Sequence, residues 1–496
     1  MSTPPPVPPP RRTKTRPLLL WLFIGSALLA VLALGIIPGF YLVEKYRGRA
    51  AWRAYETEAK ARGVQLDFAA YIPPEIPDAE NFASIPIFDA AFRAVDAKEE
   101  VPDPLKLPDA KDGELPKFAD MAKQQRLDLA AWQHYFVEAG LLPAAGENAA
   151  ADVLLALAKF AAPLVQIDAA SARPHCRFPV HWENAYAAAV PHLGILNSAS
   201  KLYALRLSAH LALGDSALAC EDFRAGLRLS TATTHEPGII PSLTRIALTT
   251  AMEKAVWDGL SQHQWAEPEL RKIEADLARL DWLQDYIFAI GSERAASNLT
   301  FDIIIKRAQH MQLLHGFSQK GDTTLNGALR LYPIGWLDQS KVRMNHFYDE
   351  LSVRIDPAAR RLFPERPVPS STNNITGEPR RFCYMYFIIT SAAVESVENF
   401  FVHAATFTDL ARLACALERC RLARGAFPQA LSELMPDFLA TLPAEIVNGE
   451  PYRYHRADDG SFLLYSVGPD LRDGGGVIDP KATASKQADW VWRYPQ

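Results

Sequence analysis

The sequence predicts a mostly α protein with a single N-terminal transmembrane helix, a body of helical hairpins, and a small C-terminal α+β module carrying a short antiparallel sheet. Three observations predict it. Leu18 to Val43 is one apolar run without a charge. Residues 116 to 424 repeat apolar positions at helical spacing between Pro and Gly breaks. After Gly425 the texture changes to strand-like runs. A chain of 496 residues exceeds what one core usually serves, so several packed units are expected. The expected divisions are a disordered Pro-rich tail at 1–17, the transmembrane helix at 18–43, and a juxtamembrane helix with a Pro-rich strap at 44–115. An α-helical body at 116–380 follows, and then a long helix with the C-terminal module at 381–496.

The apolar run, LLLWLFIGSALLAVLALGIIPGFYLV, is long enough as a helix to cross a hydrocarbon core of ~30 Å. Trp21 near one end and Tyr41 and Tyr46 near the other suit the two interfaces, and Gly35, Pro38 and Gly39 predict a kink or an early helix end. Val31-Leu32-Ala33 offers a signal-peptide cleavage pattern, but the apolar run continues past it, which favours a retained anchor. Arg11, Arg12, Lys14 and Arg16 before the run nearly balance Lys45, Arg47, Arg49 and Arg53 after it. Glu44 and Glu56 dilute the second set, so the tail is expected inside and residues 44–496 outside, which in a bacterium means the periplasm.

Beyond the anchor, residues 44–62 read as a helix stopped by Gly63. The prolines between Val64 and Phe88 forbid a helix up to Pro77, and the aromatics among them predict an ordered strap on the helical body. The helical region is punctuated at Pro143, Gly146, Pro174, Gly214, Pro237-Gly238, Gly316, Gly321 and Pro333. Arg380 to Arg424 holds the longest helical pattern, and its apolar opening, Phe382 to Val394, reads as buried core rather than a second span. Farther on, Pro451 to Tyr454 and Phe462 to Val467 flank the turn residues Asp458-Asp459-Gly460, predicting an antiparallel hairpin.

The formal charge of -5 and the lack of a basic stripe exclude nucleic acid as the expected partner. Cys176, Cys220, Cys383, Cys415 and Cys420 contain no CxxC, and Cys415 and Cys420 point to different faces of one helix. His175, Cys176, His181, His192 and Glu183 form the only local cluster of metal-ligand types, without the short fixed spacing that zinc needs. Ser198-Ala199-Ser200-Lys201 matches SxxK, but no Ser-Asp-Asn or Lys-Thr-Gly accompanies it. GxSxG, GxGxxG and Walker A patterns are missing, so no catalytic residue is named and an enzyme is not the favoured expectation.

Three segments resemble known families. LYALRLSAHLAL, Gly214-Asp215 and SALACEDFRAGLRL, with Ala219, Phe223, Gly226 and Leu227 in register, resemble a tetratricopeptide hairpin, although Arg206 and Leu207 depart from the pattern and no 34-residue repeat recurs. RGAFPQALSELMP followed by NGEPYRYHRADDGSFLLYSVGPDLRDGG resembles the C-terminal half of type II secretion major pseudopilins. It also resembles large uncharacterised membrane-anchored proteins of Verrucomicrobia and Planctomycetes, as does RGRAAWRAYETEAKARGVQLDFAAYIPPEIPDAENFA. The pseudopilin resemblance implies a calcium site using Asp470, Asp473 and Asp479, with tight turns and solvated acids as the open alternative. The pilin start is missing, which departs from pilus assembly. The function expected from all this is a membrane-anchored envelope interaction or scaffold protein with lipid and a protein as partners, a secretion-related role being what the pseudopilin resemblance implies, with an envelope hydrolase as the alternative.

Overall fold

A computed structural model describes residues 15–110, 114–313, 332–366, 384, 387, 394, 397–458, 460–478 and 488–493. The first helix, α1 (Thr15–Ala61), is continuous over 47 residues. Of the kink or early end expected at Gly35, Pro38 and Gly39, the early end is not seen, because the helix continues through Pro38. Proline removes one ladder bond, and immediately beyond it another helix docks along α1 and supports the next turns. The helix stops where Gly63 takes a left-handed φ of 75° and the Val64 N–H turns back to the Ala59 carbonyl.

The strap then runs without α-helix to α2 (Pro86–Ala97), with Phe68 and Phe82 buried along it and Phe88 buried in the first turn of α2, as its prolines and aromatics predict. It is pinned by Asn81. That side chain donates to the Arg177 carbonyl at 2.9 Å and accepts the Arg177 N–H at 2.8 Å, while Arg173 donates to the carbonyls of Asn81 and Ser84.

Three short helices follow: α3 (Leu129–Glu138), α4 (Ala149–Leu157) and α5 (Ala161–Ala170). Next come the hairpin of α6 (His192–Ala212) and α7 (Ser216–Thr231), then α8 (Ile239–Ser261) and α9 (Glu267–Leu277). The hairpin turns where the sequence expects it. Gly214 has a φ of 81°, and Asp215 caps α7 through the Leu218 N–H. Ala219, Phe223 and Leu227 are buried, and a Cβ on Gly226 would lie 2.1 Å from Met252 Sδ of α8. Arg206, which departs from the repeat pattern, pairs with buried Asp222, so polar bridging across the hairpin takes the place of a Leu.

The long helices α10 (Trp282–Leu313) and α11 (Ile334–Ser352) lead to a two-residue hairpin, β1 (Ile355–Asp356) and β2 (Arg361–Leu362). The last helix, α12 (Val397–Arg424), packs against α8, α9 and α10. The predicted strands are β3 (Arg453–Arg456) and β4 (Phe462–Ser466), paired antiparallel with Tyr454 opposite Leu464. A third strand, β5 (Trp490–Arg493), was not anticipated and joins the far edge of β4.

Among the described residues, two stretches are long and apolar enough, by length and composition, to cross a membrane: Ala149–Ala170 and Val397–Arg424. The most apolar 18-residue window of the second is 83% buried, and its charges find partners inside the protein. Arg354 pairs with Glu398 at 2.7 Å, Arg412 with Glu274 at 3.0 Å, and Arg419 with Glu267 at 3.0 Å. These pairs make α12 the axis of the body. It shares one continuous core with the strap, the hairpin and the C-terminal sheet. Of the expected core segment Phe382 to Val394, only 384, 387 and 394 are described; Phe387 and Val394 are buried.

Glu253 of α8 faces this axis. Its Oε1 accepts the Thr408 hydroxyl at 2.6 Å, and Thr408 accepts Trp282 Nε1 at 2.9 Å. Burial pushes the carboxyl from 4.5 up to about 8, against the Thr408 hydrogen bond. A carboxyl with a raised folded pKa holds its proton more tightly in the folded state. Its contribution is therefore full below about pH 4.5 and lost as the pH rises through about 8. Burial raises Glu445 to about 7 and Asp258 and Asp338 to about 6, adding to the same trend. Denaturant unfolding across this range is expected to show stability falling with pH, and a shallower fall in Glu253→Gln. An equally steep profile in the variant would contradict the assignment.

Candidate functional site

The most distinctive geometry lies where α1 enters the body. Its first part exposes large apolar side chains in succession: Trp21 and Phe23 are each 72% exposed, and Leu22, Val31, Ile36, Ile37, Leu42 and Val43 are also open. From Glu44 onward the same helix is held by α11, which runs parallel to it, with α10 antiparallel behind. Two glycines set the spacing. A Cβ on Gly335 would lie 1.8 Å from the Glu44 carbonyl oxygen, and one on Gly48 would lie 2.2 Å from the Gly335 oxygen, so the backbones touch.

Polar contacts lock the register. Buried Glu44 accepts Trp336 Nε1 at 3.1 Å and Gln339 Nε2 at 3.0 Å, and pairs with Arg47 at 2.6 Å. Lys341 Nζ sits 3.9 Å over the Trp52 ring and bonds Asp302 of α10 at 2.7 Å. Farther along, Asp349 gathers Tyr55, Arg62 and Arg294 at 2.9 to 3.0 Å. The Tyr55 hydroxyl is pushed up to about 12, by burial first. Sequence reading missed Glu44, Gly48, Gly335 and Trp336 as a set. The only signal was a small residue within each of two helices, and nothing in linear order says which helices meet.

The residues singled out for metal or catalysis are dispersed. His175 and Cys176 line a cleft of about 650 Å³ under the strap, with His235, Arg173, Arg228 and Glu80. His181 instead bonds Glu183 at 3.1 Å and faces Asp96 at 3.3 Å. His192 is fully buried, stacked on Phe178 and bonded to Glu236 at 3.0 Å. The Cys176 thiol is pushed up by burial and then by the nearby Glu236 carboxylate, the reverse of what a nucleophile needs. Ser198 donates to Asp103 Oδ2 at 2.6 Å, and Lys201 makes no hydrogen bond or ion pair among the described residues. Lys201 instead lines a mostly apolar groove of about 510 Å³ between α6 and α8. The SxxK spacing therefore yields no serine–lysine dyad.

Of the three acids expected to hold calcium, Asp470 accepts the Arg472 N–H at 3.0 Å, closing its own turn. Asp473 accepts the Tyr465 hydroxyl at 2.8 Å, the Gly475 N–H at 3.0 Å and Arg453 Nε at 3.3 Å, and these donors hold its pKa down, Tyr465 most. Asp479 lies outside the described residues. Asp489, unanticipated and buried, clamps the loop by accepting the Gly474 and Gly476 N–H groups at 3.3 and 2.7 Å. Among the described residues no three metal-ligating side chains are grouped closely enough to hold an ion.

No protein-family model matches the chain, and no match was found among curated proteins or solved structures.

Proposed function

We propose that this chain is a membrane-anchored interaction or scaffold protein of a bacterial envelope, with residues 18–43 crossing the inner membrane and 44–496 in the periplasm. A secretion-related role accords with the pseudopilin-like C-terminal segment. One observation carries the reading: α1 leaves large apolar side chains open along its first part while its second part is clamped to the body. Contiguous apolar surface of this kind is unfavourable in water and marks a membrane or protein contact. The uncharged length favours the membrane. The joined strap, hairpin and cap then supply a rigid body for a partner.

The rival, an envelope hydrolase, draws support from the cleft under the strap. It lacks an activated nucleophile there, since the Cys176 thiol is held protonated. Cross-linking in membranes followed by detergent purification of the full chain is expected to recover a stable envelope partner. Recovery of none, with labelling of Ser198 or Cys176 by serine- or thiol-directed probes, would overturn the scaffold reading in favour of the hydrolase.

Calcium at Asp470, Asp473 and Asp479 is a separate proposal, supported by the resemblance of this loop to that of pseudopilins. Millimolar calcium is expected to raise the unfolding midpoint of the purified chain, in the range where weak extracellular sites fill. An unchanged midpoint would reject it.

A further inference from the structure

The helix register places basic side chains from two distant segments at one level of the molecule. Ile305 and Ala308 of α10 share a small core with Tyr332, Ile334 and Leu337, against which Trp336 packs. Trp336 in turn meets the Phe40 ring at 6.0 Å and bonds Glu44. Lys306 and Arg307, exposed beside that core, therefore stand level with exposed Lys45, Tyr46 and Arg49 on α1. This is where the apolar part of α1 leaves the body.

The acids at this level are already engaged or enclosed. Glu44 is taken by Arg47, Trp336 and Gln339; Asp302 is taken by Lys341; Asp338 is buried. Lys45, Arg49, Lys306 and Arg307 make no ion pair among the described residues, although Asp338 lies within electrostatic reach of Arg49. Four such cations beside exposed Phe40 and Tyr46, at the mouth of an apolar helix, match the layered chemistry of a bilayer interface: rings at headgroup depth and cations against phosphate.

Resting on the anchor reading above, we propose that Lys45, Arg49, Lys306 and Arg307 form a collar that binds anionic phospholipid headgroups and seats the body directly on the membrane. The collar ties α10 to the bilayer, so the body cannot swing freely about α1.

The test uses the full chain in lipid nanodiscs of phosphatidylcholine alone and of phosphatidylcholine with phosphatidylglycerol. Amide exchange in 44–50 and 303–308 is expected to slow with phosphatidylglycerol, by on the order of fivefold per engaged cation, and the slowing is expected to shrink in high salt. Replacing Lys306→Gln and Arg307→Gln together is expected to remove most of the response, whereas Lys306→Arg with Arg307→Lys keeps it. Equal exchange in both lipids, a full response in the Gln pair, or loss of response in the charge-preserving pair would overturn the collar. A chain that leaves both kinds of disc on gel filtration rejects the anchor and the collar together; one that stays but ignores phosphatidylglycerol rejects the collar alone.

Discussion

Gly335→Ala is expected to loosen the body from α1, although it adds a single methyl group. The new Cβ would lie 1.8 Å from the Glu44 oxygen, 2.3 Å from its carbonyl carbon and 2.8 Å from the Lys45 nitrogen. All three are backbone atoms and cannot rotate aside, so α11 must move off α1. Shifting it pulls Trp336 and Gln339 off buried Glu44 and moves Lys341 from the Trp52 ring. Overpacking at such a site costs ~1–3 kcal/mol, and the lost polar contacts add to it. Thermal unfolding in detergent is expected to show a lower midpoint, with faster proteolysis in 49–63. Gly194→Ala in α6 is the control, because nothing lies within 4 Å of its Cβ and the change favours helix. Equal behaviour of the two variants would contradict the glycine contact.

The second large effect is expected at Asp409, which joins α12 to the C-terminal segment. It is 1% exposed; it accepts Arg360 at 3.0 and 3.1 Å and the Tyr452 hydroxyl at 3.0 Å, and faces Arg412 at 3.5 Å. Burial raises its pKa against the pull of these cations, which marks how completely water is excluded. Asp409→Ala leaves the Tyr452 hydroxyl enclosed without this acceptor and Arg412 with Glu274 alone. Removing one partner of a buried pair costs ~3–5 kcal/mol, and the lower end applies because Arg360, 45% exposed, can turn to water. Denaturant unfolding is expected to lose about 3 kcal/mol, with faster exchange in β3 and β4. A loss below about 1 kcal/mol would mean the segment is held by its apolar contacts alone.

Features written in local sequence were legible. Gly63, Gly214 and the turn before Phe462 end or reverse the chain where their chemistry demands, and the prolines at 73, 74 and 77 keep the strap out of a helix. Strand β5 was not legible. WVWR follows no turn signal that fixes its partner, and Val491 is buried on one face while Trp490 and Trp492 are buried on the other, which removes the alternation of a half-exposed strand. The early helix end expected near Pro38 failed for a different reason: a local breaker was weighed without the helix that docks just after it. Candidate sites fared similarly. Ser198 and Lys201 stand at dyad spacing, but Asp103, far away in the chain, takes the serine. The clamp around Glu44 depends on residues nearly three hundred positions apart, and a spacing rule has no access to that pairing.

The central claim is that residues 18–43 hold this body on a bilayer, and alkaline carbonate extraction of membranes carrying the full chain tests it most directly. The chain is expected to stay in the membrane pellet, and a form lacking residues 1–43 to appear in the supernatant. Release of the full chain by carbonate would contradict the anchor, as would retention of the truncated form.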